Sequence, residues 1–269
     1  MIGLLIALLL IMLAVIYVFL VMPRAVDRPA MDLLMADYAH RGLWNEQYPE
    51  NSLSAFAHAV QNGYGIELDV HLTKDKKVMV FHDDSLERMC GVKGRIEDHT
   101  LAELRTLRLG GTQEVIPLLT EVFSVVDGKV PILIEIKGTS RNAEICEYLA
   151  PVMDKYHGAV CIQSFNPLHL SYFRQYRPRF ARGLLLTKVD KKQVGGSALL
   201  AFVLNRMFTN VVARPDFLSV DGKIRKKPSV LLCRFVFRTP LFVFTARSMK
   251  EYRIGRSEGA RVIFEKIKP

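Results

Sequence analysis

Cysteine is scarce: the chain of 269 residues has four, at Cys90, Cys146, Cys161 and Cys233, with no C-x-x-C pair among them. That excludes the usual zinc spacings. A disulfide framework is also unexpected, because about half of the residues are hydrophobic and can supply a core. The four read as ordinary buried or half-buried thiols. Internal repeats and low-complexity stretches are absent. Acidic excess is absent too, since the formal net charge is +10. The surplus of basic residues lies late, in "DGKIRKKPSVLLCRFVFR" and "RSMKEYRIGRSEGARVIFEKIKP". Such a face suits anionic membrane lipid or a phosphorylated substrate, or it is simply a solvated basic surface. Finger spacing, an RNP-like motif and a continuous basic helix are all missing, so nucleic acid is not an expected partner.

The longest absence is of charge at the start. No charged side chain precedes Arg24 in "MIGLLIALLLIMLAVIYVFLVMPR". An apolar run of this length crosses a bilayer core as a helix. A cleaved signal peptide is the rival, but it calls for a basic n-region, a shorter apolar centre and a small-x-small cleavage site. Residues 1–23 are therefore expected to be an uncleaved single-pass anchor, residues 24–36 a linker and residues 37–269 one folded domain. Arg24 and Arg28 follow the span, and the positive-inside bias then places that domain in the cytoplasm.

Beyond the linker, short apolar strands alternate with helical patterns, which predicts parallel strands with crossover helices. The strand segments are "DYAHR", "GIELDV", "VMVFHD", "PILIEIK", "VCIQSF", "RGLLLT", "DFLSV", "LFVFTA" and "RVIFE". The helical ones are "SLSAFAHAVQNG", "TLAELRTLRL", "LLTEVFSVV", "AEICEYLAPVMDKY", "PLHLSYFRQYR" and "ALLAFVLNRMF", with Asn51 and Thr100 where N-caps belong. Nine strands exceed an eight-stranded barrel by one. "GIELDV" and "VMVFHD" are joined only by the short stretch around "TKDKK", too short for a parallel crossover, so they must form an antiparallel hairpin. The other eight then make a (β/α)₈ TIM barrel, an α/β fold ending on "RVIFE"; a doubly wound open sheet is the alternative.

Several strands carry polar residues that do not belong in a core. Glu67 and Asp69 are two apart and so share a face, as do Glu135 and Lys137. With His40 they sit at or near the C-terminal ends of strands, where such barrels hold their sites. Three carboxylates without thiolates suit a hard divalent ion, Mg²⁺ or Ca²⁺. Two histidines suit an acid–base pair, and Arg41 and Lys137 suit an anionic substrate.

In order, "AHRG", "PENS", "IELDV", "VFHD", "IPLLTEV", "LIEIKG" and "QSFNP" resemble the glycerophosphodiester phosphodiesterases over residues 36 to 185. The resemblance implies a metal-dependent TIM barrel with a small insertion after the second histidine. It implies His40 and His82 as the catalytic pair, Glu67, Asp69 and Glu135 as metal ligands, and Arg41 and Lys137 as phosphate contacts. Glu50 would lie near the metal, with Asn51 left as a helix cap. The expected activity is hydrolysis of glycerophosphodiesters to glycerol 3-phosphate and an alcohol at a membrane. A lysophospholipase D acting on lysophospholipid is the first alternative, favoured by the anchor and by the apolar segment "GGSALLAFVLNRMFTNVV". A catalytically silent, membrane-bound binding barrel is the remote one. The last third departs from the family: Phe244 and Thr245 replace a common Trp-Thr pair, and "IFEKIKP" replaces a final "TD-x-P".

Overall fold

Each of the nine expected segments contains a strand. The computed structural model describes residues 1–25, 31–137 and 143–269; Arg28, Gly138 and part of the expected linker lie outside the described residues. The strands are β1 (Tyr38–His40), β2 (Gly65–Leu72), β3 (Val78–Val80), β4 (Ile132–Ile136), β5 (Val160–Ser164), β6 (Arg182–Leu186), β7 (Phe217–Asp221), β8 (Leu241–Ala246) and β9 (Arg261–Phe264). All neighbours pair in parallel except β2 with β3, which form the antiparallel hairpin. β1 pairs with both β9 and β2, so the eight parallel strands close into a barrel, and β3 lies outside it against β2.

The barrel is a packed core. Its base is filled by Tyr38, Leu133, Cys161, Phe217, Phe242 and Ile263. A Cβ on Gly183 would lie 2.1 Å from the Phe217 ring, so a side chain there would displace the plug. The outward residues of the strands, Ile66, Leu68, Ile132, Ile134, Leu184 and Val220 among them, meet the surrounding helices. The segment after β3 has a small core of its own, with Met79, Phe81, Leu86, Ile96, Leu104 and Ile116.

Three helix expectations need correction. Asn51 is not the cap of the first barrel helix, Leu53–Gln61; Ser52 is, accepting from the Ala55 amide. Thr100 does cap its helix, in a capping box with Glu103, but that helix covers only Leu101–Leu104. Beyond it, Leu107 and Leu109 pack into the small core from irregular chain. Among the described residues, two helices of eight or more residues were not anticipated, Pro228–Phe235 and Met249–Ser257, along with the single turns Glu87–Cys90 and Asn210–Ala213. The second buries only Gly255 fully, so it has no apolar stripe to betray it.

The N-terminal helix, α1 (Ile2–Val21), is long and apolar enough to cross a membrane, a test that a signal sequence also passes. Its residues up to Ile16 are exposed, but its end is docked on the barrel. Asn210 Nδ2 donates to the Val21 carbonyl at 2.6 Å, and Arg214 Nη1 donates to the Met22 carbonyl at 2.7 Å. Tyr17 packs edge-on against Phe208, with centroids 6.1 Å apart. Arg24 then reaches Asp216 at 3.3 Å. Asp216 also pairs with Arg182, whose side chain is 1% exposed. Removing one member of such a pair strands a buried charge. Asp216→Ala should therefore cost roughly 3–5 kcal/mol in denaturant unfolding, and changing Arg182 and Asp216 together to Leu should recover part of it. A loss below about 1 kcal/mol would show a pair screened by solvent.

Candidate active site

The parallel register gathers the polar residues. His40 is paired with Glu67 across β1 and β2, Asp69 with Glu135 across β2 and β4, and Glu135 with Gln163 across β4 and β5. Glu67, Asp69 and Glu135 are buried, and their ligand oxygens lie within 4.8 Å of one another. After His40 the chain turns sharply, with Arg41 at φ 60 and Gly42 at φ 84. A Cβ on Gly42 would come within 2.9 Å of Ala55, so the turn needs glycine.

The two cations expected at the site are already paired. Lys137 Nζ lies 2.7 Å from Glu135 and 3.2 Å from Asp69. Arg41 donates to Glu50 at 2.9 Å, with Asp69 3.7 Å from its Nε. Glu50 is not one of the three clustered carboxylates. It bridges Arg41 and Arg88, and Arg88 in turn holds Asp83 at 2.5 Å. Each histidine is tied through Nδ1 to a carboxylate at 2.6 Å, His40 to Glu265 and His82 to Asp83. A carboxylate at that distance fixes the proton on Nδ1 and leaves Nε2 for other work.

Sequence reasoning missed four participants. Asn51, in a left-handed conformation at φ 55, donates from Nδ2 to Asp69 at 3.0 Å. Gln163 donates to Glu67 at 3.2 Å. Glu265 orients His40, and Asp83 orients His82. Glu265 and Gln163 had a signal, a polar residue at the C-terminal end of an apolar barrel strand. Asn51 had none that distinguished it from a cap.

The electrostatics are those of crowded, buried carboxylates. Burial, then the neighbouring Asp69, pushes the Glu67 carboxyl up to about 8. Burial likewise raises Glu135, with Asp69 adding and Lys137 opposing. For Asp69, burial is outweighed by Lys137, then His82, Arg41 and His40, which hold it well below the usual carboxylate range. Burial disfavours charge on His40, but Glu67 and the bond to Glu265 outweigh it, so its pKa rises.

These residues fit a hard divalent cation. Among the described residues, Gln163 Oε1 is buried without a hydrogen-bond donor, and Asp69 Oδ1 faces only the Lys137 ammonium at 3.2 Å, beside a carboxyl that burial would otherwise leave protonated. An all-oxygen set of this kind is the donor chemistry of Mg²⁺ or Ca²⁺. Below about pH 8 a cation must displace the Glu67 proton. Affinity should therefore rise with pH, by up to about tenfold per unit, and level off once Glu67 has ionised. Calorimetry in two buffers of different ionisation enthalpy should show release of about one proton per cation at neutral pH; none would contradict the protonated Glu67.

A polar cavity of about 560 Å³ opens at this end of the barrel, lined by His82, Asp83, Glu135, Lys137, Ser164 and Phe165. Phe244 stands beside Phe165, ring centroids 6.3 Å apart.

The sequence profile of the glycerophosphoryl diester phosphodiesterase family matches residues 40–247. A glycerophosphodiester phosphodiesterase of Caldanaerobacter subterraneus subsp. tengcongensis is 38% identical over 158 residues, 55% of this chain and 65% of that one. A human protein named lysophospholipase D is 38% identical over 124 residues, 41% of this chain and 39% of that one. The chain thus spans just under two thirds of the first relative and about two fifths of the second. The structure of an Oleispira antarctica phosphodiesterase in complex with its product sn-glycerol-3-phosphate superposes with a TM-score of 0.72 at 24% identity, covering 88% of this chain and 94% of that one.

Proposed function

This chain belongs to the glycerophosphoryl diester phosphodiesterase family, a family of phosphoric diester hydrolases, and we propose that it hydrolyses glycerophosphodiesters to glycerol 3-phosphate and an alcohol at a membrane. The observation that carries the reading is the cluster of Glu67, Asp69 and Glu135 at the barrel mouth, next to two histidines that are each held by a carboxylate. That set also argues against a silent binding barrel.

A divalent cation held by Glu67, Asp69 and Glu135 would supply Lewis-acid polarisation of a phosphoryl oxygen and of the attacking hydroxyl. Arg41 and Lys137 orient the phosphate, because both line the same carboxylates and carry donors suited to anionic oxygen. One histidine Nε2 accepts the proton of the glycerol hydroxyl as its oxygen bonds to phosphorus. The other protonates the departing alcohol oxygen as its bond to phosphorus breaks. Water then opens the cyclic phosphate with the proton transfers reversed. Glu265 and Asp83 hold the two rings in the orientation these transfers need. A lipid with no free neighbouring hydroxyl requires direct attack by water.

A second reading, lysophospholipase D, is favoured by the apolar helix Ala198–Asn205, whose Leu199, Leu200 and Phe202 are exposed beside the docked α1. Membrane placement rests on α1 itself. Phosphorus NMR of the full chain with glycerophosphocholine and with lysophosphatidylcholine tests both readings. Glycerol 3-phosphate should appear from the first, and lysophosphatidic acid from the second if lipid is accepted. Release of phosphocholine would mean that the opposite P–O bond is cut and would overturn the proposal.

A further inference from the structure

A second cavity lies beside the polar one. It has a volume of about 390 Å³, and Phe165, Leu185, Leu186, Val189, Val194 and Leu204 line it. It sits between the C-terminal end of β6 and the segment that follows that strand. Thr187, Gln193 and Thr209 are its polar lining, so most of its wall is aliphatic or aromatic. No role in the chemistry above requires it. Its size is within the range of small-ligand sites, about 300–1,000 Å³.

Three features indicate what would occupy it. Phe165 lines both this cleft and the polar cavity that contains His82, Glu135 and Lys137, so the two are contiguous. The segment roofing the cleft bears the exposed Leu199, Leu200 and Phe202. Through Phe208 it also packs against Tyr17 of α1, the helix apolar enough to lie in lipid. The chain leading from β6 into the roof carries exposed Lys188, Lys191 and Lys192, and the loop after β7 adds exposed Lys223 and Lys226. An apolar slot that adjoins a larger polar cavity through Phe165, with a cationic rim beside it, matches an amphiphile with one hydrocarbon tail and an anionic phosphate.

We propose that this cleft is an acyl-chain site: it holds the single fatty acyl chain of a lysophospholipid whose phosphodiester lies at Glu67, Asp69, Glu135 and Lys137. The proposal rests on the phosphodiesterase reading and adds to it the residues that would choose lipid over a water-soluble diester. Leu185 and Thr187 form the inner wall, on the barrel strand side, and Val194 and Leu204 form the roof. The glycerol backbone of the substrate passes Phe165, the residue that lines both cavities.

The test is kcat/KM of the full chain in mixed micelles for glycerophosphocholine and for lysophosphatidylcholines of six, ten and sixteen acyl carbons. The same series is run on Leu204→Trp and Val194→Trp, which fill the cleft from two sides of its roof. In the wild type, kcat/KM should climb with chain length by up to about fourfold per buried methylene until the cleft is full. In each variant that held its circular dichroism and melting temperature, the ratio of the sixteen-carbon rate to the glycerophosphocholine rate should fall at least about tenfold. If the wild type cleaves glycerophosphocholine but its rate ignores chain length, the cleft is not an acyl site. If the profile stays as steep in both folded variants, the chain-length effect is partition into micelles, and the proposal is again overturned. Hydrolysis of no diester at all would instead overturn the phosphodiesterase reading, and the acyl site with it.

Discussion

Asp69→Asn is expected to abolish turnover and divalent-cation binding together, with kcat falling at least about 10³-fold, the effect of losing several kcal/mol of charge stabilisation. Asp69 is the most tightly held of the three carboxylates. It is fully buried and takes a hydrogen bond from Asn51, with Lys137 and Arg41 beside it. Asn keeps the shape and the Asn51 contact but removes the charge. Glu67→Gln and Glu135→Gln should act in the same direction, because each also leaves a hard cation with one anionic oxygen fewer. Folding should survive Glu67→Gln and Glu135→Gln, since the neutral amides relieve crowding between carboxylates that burial already disfavours; Asp69→Asn removes a charge that Lys137 and Arg41 face, so its fold is checked by circular dichroism before its activity is read. Calorimetric titration with Mg²⁺ and Ca²⁺ alongside the assay checks the coupling. A variant that binds the cation normally yet is inactive would assign its carboxylate to substrate instead.

The second large effect is at the histidines. His40→Ala and His82→Ala should each lower kcat by roughly 10²–10⁴-fold. They should differ with leaving group. A glycerol phosphodiester of nitrophenol leaves without protonation, so the variant lacking the general acid should regain most of its rate on that substrate and the other should not. Equal rescue of both, or of neither, would contradict divided roles. Glu265→Gln is the matching change outside the pair. It keeps a hydrogen-bonding group at His40 Nδ1 but replaces the carboxylate whose hydrogen bond, after the Glu67 charge, raises the ring's pKa, so the His40 limb of the pH–rate profile should shift to lower pH. A purely structural role for Glu265 would lower activity without moving that limb.

Much of this arrangement was legible in the amino acids. The strands announced themselves as short apolar runs, and the brevity of the connection at "TKDKK" forced the hairpin that leaves eight for the barrel. Glu67, Asp69, Glu135 and Lys137 stood out because charge inside an apolar strand needs a reason. What stayed hidden depended on residues distant in sequence. Whether the last strand carries a functional side chain could not be judged until β9 was seen to pair with β1, which sets Glu265 against His40, 225 positions away. Asn51 looks like a cap because Asn, Ser and a helical pattern follow one another. Only its backbone conformation and the position of Asp69 separate it from Ser52. The docking of α1 had no sequence signal either: Asn210, Arg214 and Phe208 sit in a segment that reads as an ordinary crossover until their contacts with Val21, Met22 and Tyr17 are seen.

The central claim is that the three buried carboxylates hold a divalent cation on which glycerophosphodiester hydrolysis depends. Its most direct test is to strip the full chain of metal with a chelator, confirm removal by elemental analysis, and follow glycerol 3-phosphate release from glycerophosphocholine as Mg²⁺ or Ca²⁺ is returned. The expected result is no turnover in the stripped enzyme and recovery that saturates at one cation per chain. Full activity in metal-free enzyme would contradict the claim.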